Sequence, residues 1–166
     1  MSHLYQPPCL EKKRVEPNDL ESLVRSLQGQ GLTVATLNGS FDLLHAGHLY
    51  ILYQAKQQAD KLLVALNSDR SIQQYKHPSR PIITLQDRLA MIAAIECVDY
   101  VTWFEETDPC AFLEKARPNV HVNGVEYGPD CIEAAVVRKH GGRLHLVDRI
   151  PGLATSAVLE KIRGLP

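Results

Sequence analysis

Apolar and polar positions along the chain follow two different periods. Short runs rich in aliphatic, β-branched and aromatic residues predict five strands, at 32–37, 61–66, 100–104, 120–123 and 143–147. Between these runs, apolar residues recur every three or four positions and predict helices at 17–28, 49–59, 85–96, 109–118, 130–140 and 155–163. Because strands and helices alternate, the pattern predicts a three-layer α/β/α sandwich around one mainly parallel, five-stranded sheet.

Two segments lack such a period. Residues 1–16 are rich in proline and charge, and they predict an extended lead-in to a single domain at 17–166. The polar stretch 73–80 follows the second predicted strand and carries several basic residues, among them Lys76 and Arg80. We expect this stretch to be a mobile basic lid beside the site that the strand ends form.

Composition narrows the function classes. The 166 residues are 45% hydrophobic and 22% charged, as in an ordinary globular domain. A formal net charge of −1 argues against general nucleic-acid binding, which needs a basic face. The four cysteines are scattered, without the paired spacing of zinc sites, and are expected to be cytosolic thiols. Because neither a signal-peptide pattern nor a run of about 18 apolar residues occurs, we expect a cytoplasmic protein without membrane association.

The loop after the first predicted strand carries the most distinctive side chains, in the run Asn38-Gly39-Ser40-Phe41-Asp42-Leu43-Leu44-His45-Ala46-Gly47-His48. Two imidazoles three positions apart stand where a strand gives way to a helix, whose free N–H groups and dipole favour an anion. Gly47 leaves room for that anion to approach the backbone. We interpret the loop as a phosphate site. Incidental histidines are one alternative; a metal site is less favoured because no third ligand is grouped with them in sequence.

Four polar loops each follow a predicted strand, at 38–48, 67–81, 123–129 and 148–156. In a parallel, Rossmann-like sheet, ligands bind outside the carboxyl ends of the strands, so these loops can meet at one crevice. Neither the GxxxxGK pattern of P-loop enzymes nor the GxGxxG dinucleotide pattern occurs. The sequence therefore indicates a phosphate-handling α/β domain that uses histidine.

The segment NGSFDLLHAGHLYIL resembles the HxGH signature of the cytidylyltransferase-like nucleotidyltransferase superfamily. Other stretches resemble the adenylyltransferase domains of ADP-heptose synthesis, in the order LNSDRSI, SRPIITLQDRLAMIAAIECVDYV, ARPNVHVNG, GGRLHLV and PGLATSAVLEKI. The resemblance extends over most of residues 15–163. It implies a nucleotidyltransferase domain with its active site at the HxGH loop.

The resemblance also implies roles for individual residues. His45 and His48 would bind the nucleotide phosphates and stabilise charge on the α-phosphoryl group, and Lys76 would bridge that group and the incoming phosphate. Arg88 matches an arginine of the helix after that loop and would be a catalytic residue beside the triphosphate. Its place in the first turn of that helix leaves open, by itself, whether it is solvated or reaches an anion. The implied nucleotide-binding residues are Asn38, Gly39, Ser40, Phe41, Gly47, Asn123, Gly124, Glu126, Gly152, Thr155 and Ser156. Helix capping is the alternative for Thr155 and Ser156.

The reaction implied is transfer of a nucleoside monophosphate from a triphosphate, ATP in these enzymes, to a sugar phosphate of the heptose 1-phosphate kind, with release of pyrophosphate. Mg²⁺ is expected on the triphosphate, held by phosphate oxygens and water, with no dedicated metal ligands in the protein. The expected partners are thus a nucleoside triphosphate and a phosphorylated sugar or polyol.

Three positions depart from the pattern of the ADP-heptose enzymes. Asn123 and Glu126 stand where those enzymes usually have lysine and aspartate, and Ala154 stands where they usually have serine. These differences leave the acceptor and the base open. A CTP-dependent cytidylyltransferase acting on glycerol 3-phosphate is the second hypothesis, and a nucleotide-binding module without turnover is the third. A homodimer is possible through 90–95 and 100–104, although burial in the monomer core explains their apolar residues equally well.

Overall fold

The computed structural model describes residues 7–165. Five strands form one sheet in which every pair is parallel, with the order β3-β2-β1-β4-β5. The strands are β1 (Val34–Gly39), β2 (Lys61–Asn67), β3 (Tyr100–Phe104), β4 (Val120–Gly124) and β5 (Arg143–Val147). The predicted five-stranded parallel sheet is therefore confirmed.

Eight helices are present in the described part of the chain. They are α1 (Pro8–Lys13), α2 (Leu20–Gly29), α3 (Ala46–Lys56), α4 (Asp69–Tyr75), α5 (Leu85–Ala94), α6 (Cys110–Ala116), α7 (Ile132–Lys139) and α8 (Thr155–Arg163). Within residues 7–165 no helix combines the length and the apolar character needed to cross a membrane.

The sheet divides the core into two layers. On one face, aliphatic residues of α1, α3 and α5 pack against the strands, among them Leu10, Leu52 and Ile92. On the other face, α2 and α6 supply residues such as Val24 and Phe112. Strand β2 lies between β1 and β3, and its residues 62–66 are buried, which is why its sequence is continuously aliphatic. This arrangement confirms the predicted three-layer α/β/α sandwich.

Two helices lie where the sequence predicts none. Helix α1 falls inside the predicted extended lead-in, and it begins at Pro8 and buries Leu10 in the core. Helix α4 falls inside the predicted polar loop 67–81; its N-cap is Ser68, whose hydroxyl accepts from the backbone N–H of Ser71 at 3.1 Å. Each is too short to show a helical period, so the prediction of extended chain or loop is wrong there. The division between lead-in and domain stays a prediction.

The order of the strands positions the site. The chain leaves β1 toward β2 on one side, and β4 returns to pair with β1 on the other. The switch point of strand order therefore lies between β1 and β4, and a crevice opens at their carboxyl ends.

Candidate active site

A cavity of about 780 Å³ lies at the carboxyl edge of the sheet, lined by residues that follow or end each of the five strands. Its lining includes every residue predicted for the site except Arg88 and Gly152. The predicted convergence of strand-end loops on one crevice is therefore confirmed. Gly152 lies in the loop before α8 with a φ of 79°, a left-handed conformation that glycine adopts without strain.

His45 and His48 form a reciprocal cap at the start of α3. Nδ1 of His45 accepts from the backbone N–H of Gly47 at 3.1 Å, and Nδ1 of His48 accepts from the backbone N–H of His45 at 3.3 Å. Because each Nδ1 is an acceptor, the neutral tautomer of each ring carries its proton on Nε2. The ring centroids are 4.0 Å apart. The loop thus presents two neighbouring Nε2–H donors to a ligand in the cavity.

Both imidazoles are held in the neutral form. Burial, followed by the proximity of His45 and of Lys76, lowers the pKa of His48 to about 4. Burial and the charge of Arg149 lower the pKa of His45 as well. At pH 7 the two rings therefore act on phosphate as uncharged hydrogen-bond donors.

Gly47 allows a second helix to approach the histidines. A Cβ atom at this position would lie 3.0 Å from the ring of His45 and 3.1 Å from Cβ of Leu153, in the loop before α8. The N-cap of α8 is Ala154, which provides no side-chain cap, so Thr155 and Ser156 do not cap the helix. Among residues 7–165 the first N–H groups of α8 consequently lack side-chain partners, and such a helix end favours an anion.

Lys76 reaches the first loop from the end of α4. Its Nζ donates to Oγ of Ser40 at 2.8 Å, and the same hydroxyl is 2.6 Å from the phenolic oxygen of Tyr75. Lys76 is exposed at the mouth of the cavity. Ser40 therefore connects the loop after β1 to the polar stretch 73–80. The mobility of that stretch stays a prediction.

Asp42 holds the end of the polar stretch 73–80 against the loop after β1, through a contact that the sequence did not reveal. Its carboxylate is 2% exposed and accepts from Arg80 Nε at 2.7 Å and from the N–H groups of Ile82 and Ile83 at 2.8 and 2.9 Å. The available signal was an acidic residue inside the apolar run 41–44, since a charge in such a run is buried only with partners.

Arg88 lies beneath the site rather than in the cavity lining. Its side chain is fully buried and donates to the carbonyl oxygen of Ser40, to the carbonyl oxygen of Ile83 at 3.0 Å and to Oδ1 of Asp69 at 2.7 Å. Arg88 is therefore not solvated, and the anion that it reaches is a carboxylate of this chain. The contacts give it a positioning role, because it holds the first loop against the start of α5.

The loops after β4 and β5 close the far side of the cavity. Oδ1 of Asn123 accepts from the N–H of Gly124 at 3.0 Å. Glu126 faces Arg149 across the two loops, at 3.6 Å between Oε1 and Nε. A Cβ on Gly124 would lie against the carboxylate of Glu126, the end of a flexible and partly exposed side chain. Asn123, Gly124 and Glu126 are thus brought to the cavity that His45 and His48 line.

The fold and the site define a nucleotidyltransferase-type α/β domain, and comparison with known proteins identifies the family. Residues 36–155 match the family model described as Cytidylyltransferase-like, and the chain belongs to this family. Many proteins named Bifunctional protein HldE are similar to it. The protein of Syntrophotalea carbinolica is 41% identical over 134 residues, covering 80% of this chain and 27% of that protein. The protein of Mesorhizobium japonicum is 42% identical over 143 residues, covering 86% and 29%. The chain thus spans less than a third of the length of these two relatives.

Two solved structures share the fold. The lipopolysaccharide core biosynthesis protein of Thermoplasma volcanium has a TM-score of 0.57 at 26% identity, covering 72% of this chain and 98% of that chain. Pantoate-beta-alanine ligase of Francisella tularensis, crystallised with a β-γ ATP compound and β-alanine, has a TM-score of 0.60 at 16% identity, covering 90% and 72%. At that identity the second likeness shows the fold alone.

Proposed function

We propose that the chain transfers a nucleoside monophosphate from ATP to a sugar phosphate of the heptose 1-phosphate kind and releases pyrophosphate. The observation that carries the proposal is the convergence of two Nε2–H donors, the uncapped start of α8 and Lys76 on one cavity. The sugar acceptor draws support from the HldE relatives and from the Thermoplasma protein, whose description names lipopolysaccharide core biosynthesis.

The chemistry that this arrangement supports is direct displacement at phosphorus. An oxygen of the acceptor phosphate forms a bond to the α-phosphorus, and the bond from the α-phosphorus to the bridging oxygen of the β-phosphate breaks, so that pyrophosphate carries away the electron pair. His45 and His48 donate to oxygens on which charge builds, and Lys76 lies where it can neutralise the two approaching phosphates. Such a reaction depends on positioning and on electrostatic stabilisation, which fixed donors supply.

Magnesium belongs to this proposal as a partner of the triphosphate. Within residues 7–165 no group of three or more histidine, cysteine or acidic side chains is arranged to hold a metal ion. The acid nearest the histidines in sequence, Asp42, is occupied by Arg80 and two backbone N–H groups. These residues fit an ion held by phosphate oxygens and water, which would neutralise charge on the leaving pyrophosphate.

Pyrophosphate release tests donor and acceptor together. ATP and CTP are each paired with heptose 1-phosphate and with glycerol 3-phosphate, and product is measured by a coupled pyrophosphate assay. We expect product with ATP and heptose 1-phosphate. Strict dependence on CTP with glycerol 3-phosphate would instead establish a cytidylyltransferase, the alternative that the HldE relatives do not favour.

The third hypothesis, a nucleotide-binding module, is tested by the same assay with His48→Ala. We expect this variant to lose turnover and to keep the fold, because His48 contributes a donor to the cavity. If all four substrate pairs give no product while the wild-type chain still binds nucleotide, the module hypothesis is correct.

A cytoplasmic location and a homodimer are also proposals from the sequence. Of the two segments considered for a dimer contact, Ile92, Ala93 and Val101 are fully buried, which favours their role in the monomer core. Light scattering of the purified chain tests the dimer, and fractionation of cells that express it tests the location.

A further inference from the structure

The cavity has a second end whose chemistry differs from the phosphate end. We call the part of the lining at the ends of β3 and β4 and at the start of α7 the second end, and it comprises Thr107, Asp108, Asn123, Cys131 and Glu133. Glu133 lies in the first turn of α7 and is only 5% exposed, and its Oε2 is buried without a hydrogen-bond partner in the described part of the chain. A buried carboxylate oxygen without a donor is costly, so this oxygen is an unfilled acceptor at the edge of the site.

The lysine and arginine side chains that line the cavity contact groups other than Glu133. Lys76 donates to Ser40, Arg80 pairs with Asp42, and Arg149 faces Glu126. In residues 7–165 no lysine, arginine or histidine forms a salt bridge with Glu133. Glu133 thus has no cationic partner in the described part of the chain, and a ligand in the cavity can supply a strong donor.

Two thiols, those of Cys110 and Cys131, lie beside Glu133 and can donate to it only weakly. Burial and the carboxylate of Glu133 raise the pKa of Cys131, and burial and Asp108 raise the pKa of Cys110 to about 11. Both thiols stay protonated at pH 7, and a thiol is a weak donor. The surroundings of Glu133 are consequently acidic and short of strong donors.

Asn123 supplies the complementary group. Its Oδ1 already accepts from the N–H of Gly124, whereas its Nδ2 has, in the part of the chain that the structure describes, only a long contact of 3.9 Å with the sulfur of Cys131. A hydroxyl group can donate to a carboxylate and accept from an amide N–H at the same time, whereas an ammonium group can only donate. Glu133 and Asn123 together therefore match hydroxyl groups better than a cationic ligand.

We propose that Glu133 and Asn123 form the subsite that binds hydroxyl groups of the acceptor, and so select polyol or sugar phosphates over simple alkyl phosphates. The inference rests on the proposed function, since it assigns the acceptor to this end and the triphosphate to the end with the histidines. It gives Asn123 an acceptor-binding role in place of the nucleotide-binding role that the family resemblance implies. Glu133 is then a specificity-determining residue of the transfer reaction.

Calorimetric binding tests this subsite without requiring turnover. The probes are mannose 1-phosphate, glycerol 3-phosphate, propyl phosphate and phosphoethanolamine, each added to the full chain with a non-hydrolysable ATP analogue. Glu133→Gln keeps the shape and removes the charge, and Asn123→Asp keeps Oδ1 and removes the N–H donors. Glu96→Gln, at an exposed position outside the cavity lining, is the matched control.

We expect the wild-type chain to bind the two hydroxyl-bearing phosphates more tightly than propyl phosphate. Glu133→Gln should raise their Kd about 10- to 100-fold, the effect of losing a hydrogen bond to a charged group, and leave propyl phosphate and the ATP analogue unchanged. Unchanged affinity for the ATP analogue also shows that the variant is folded. Asn123→Asp should weaken the same two probes, and the control should change none.

Three results would overturn the inference: equal loss for propyl phosphate and the polyol phosphates, no loss in Glu133→Gln, or tighter wild-type binding of phosphoethanolamine than of mannose 1-phosphate. Failure of the proposed function is distinguishable from these results. A chain that binds polyol phosphates selectively through Glu133 but releases no pyrophosphate would overturn the reaction and retain the subsite.

Discussion

Replacing Arg88 by lysine separates a positioning role from direct contact with nucleotide. The guanidinium holds three acceptors at once, through Nε to Ile83, Nη1 to Ser40 and Nη2 to Asp69. One ammonium nitrogen cannot reach three acceptors that are arranged around a planar guanidinium group. Arg88→Lys therefore keeps the charge and loses most of these hydrogen bonds.

The expected loss in the free energy of unfolding of Arg88→Lys follows from these contacts. A hydrogen bond from a charged group contributes about 1.5–3 kcal/mol, and the two carbonyl oxygens are left without their donor if the ammonium moves to Asp69. The ion pair itself adds little, because Asp69 is 40% exposed and screened by water. We therefore expect the free energy of unfolding to fall by about 3 kcal/mol and Tm by about 10 °C for a chain of this size.

The assay is thermal and urea unfolding of Arg88→Lys, with calorimetric binding of an ATP analogue at a temperature where the variant is folded. Arg70→Lys is the control at an exposed position of α4, and its free energy of unfolding should stay within about 0.5 kcal/mol of wild type. A variant with unchanged Tm but weakened ATP binding would refute the positioning role and place Arg88 on the nucleotide phosphates, as the family resemblance implies.

Three further predictions concern residues around the same site and core. Burial lowers the pKa of His121 to about 4, so the unfolded chain binds a proton at this residue more readily than the folded chain does. The stability that neutral His121 gives is complete above about pH 6.5 and is lost as the pH falls toward 4. In His121→Asn the slope of the free energy of unfolding against pH over this range, measured by urea unfolding, should drop by about 1.4 kcal/mol per pH unit. Lys76→Met should lower kcat about 10²- to 10³-fold in the pyrophosphate assay with unchanged Tm, because Lys76 is exposed and its charge acts only on phosphate. Gly47→Ala should lower kcat/KM about 10-fold with little change in Tm, because its Cβ displaces the ring of His45 or Leu153; unchanged kcat/KM would show that the two helix ends need not approach so closely.

The fold was predictable where pattern is local and repeated. The aliphatic run of β2 and the helical spacing of α2 each extend over enough residues to show a period, and both elements are present. Helices α1 and α4 escaped prediction because six or seven residues hold less than two turns, and each helix owes its place to one buried aliphatic side chain and a start signal. Tertiary packing decides such short elements.

The site residues also divide into those that are close in sequence, which were predictable, and those that only the fold brings together. His45, Gly47 and His48 lie within four positions, so their shared geometry was visible in the sequence, and the structure brings them to one cavity. The contact of Asp42 with Arg80 joins residues 38 positions apart, and the contact of Arg88 with Ser40 joins residues 48 positions apart. Contacts that the fold makes between distant segments leave no local pattern, and the positioning role of Arg88 was therefore missed.

These long-range contacts divide the site into fixed and movable parts. The backbone before the histidines is held by buried groups, since Arg88 binds the carbonyl of Ser40 and Asp42 binds Arg80. Removing either partner of such a buried set leaves a charge or carbonyl without its donor, at a cost of about 3–5 kcal/mol. The bond from Lys76 to Ser40 is exposed, and an exposed bond of a charged group contributes little because water replaces and screens it. Lys76 can thus exchange the Ser40 hydroxyl for a phosphate oxygen at little cost, while His45 and His48 stay in place.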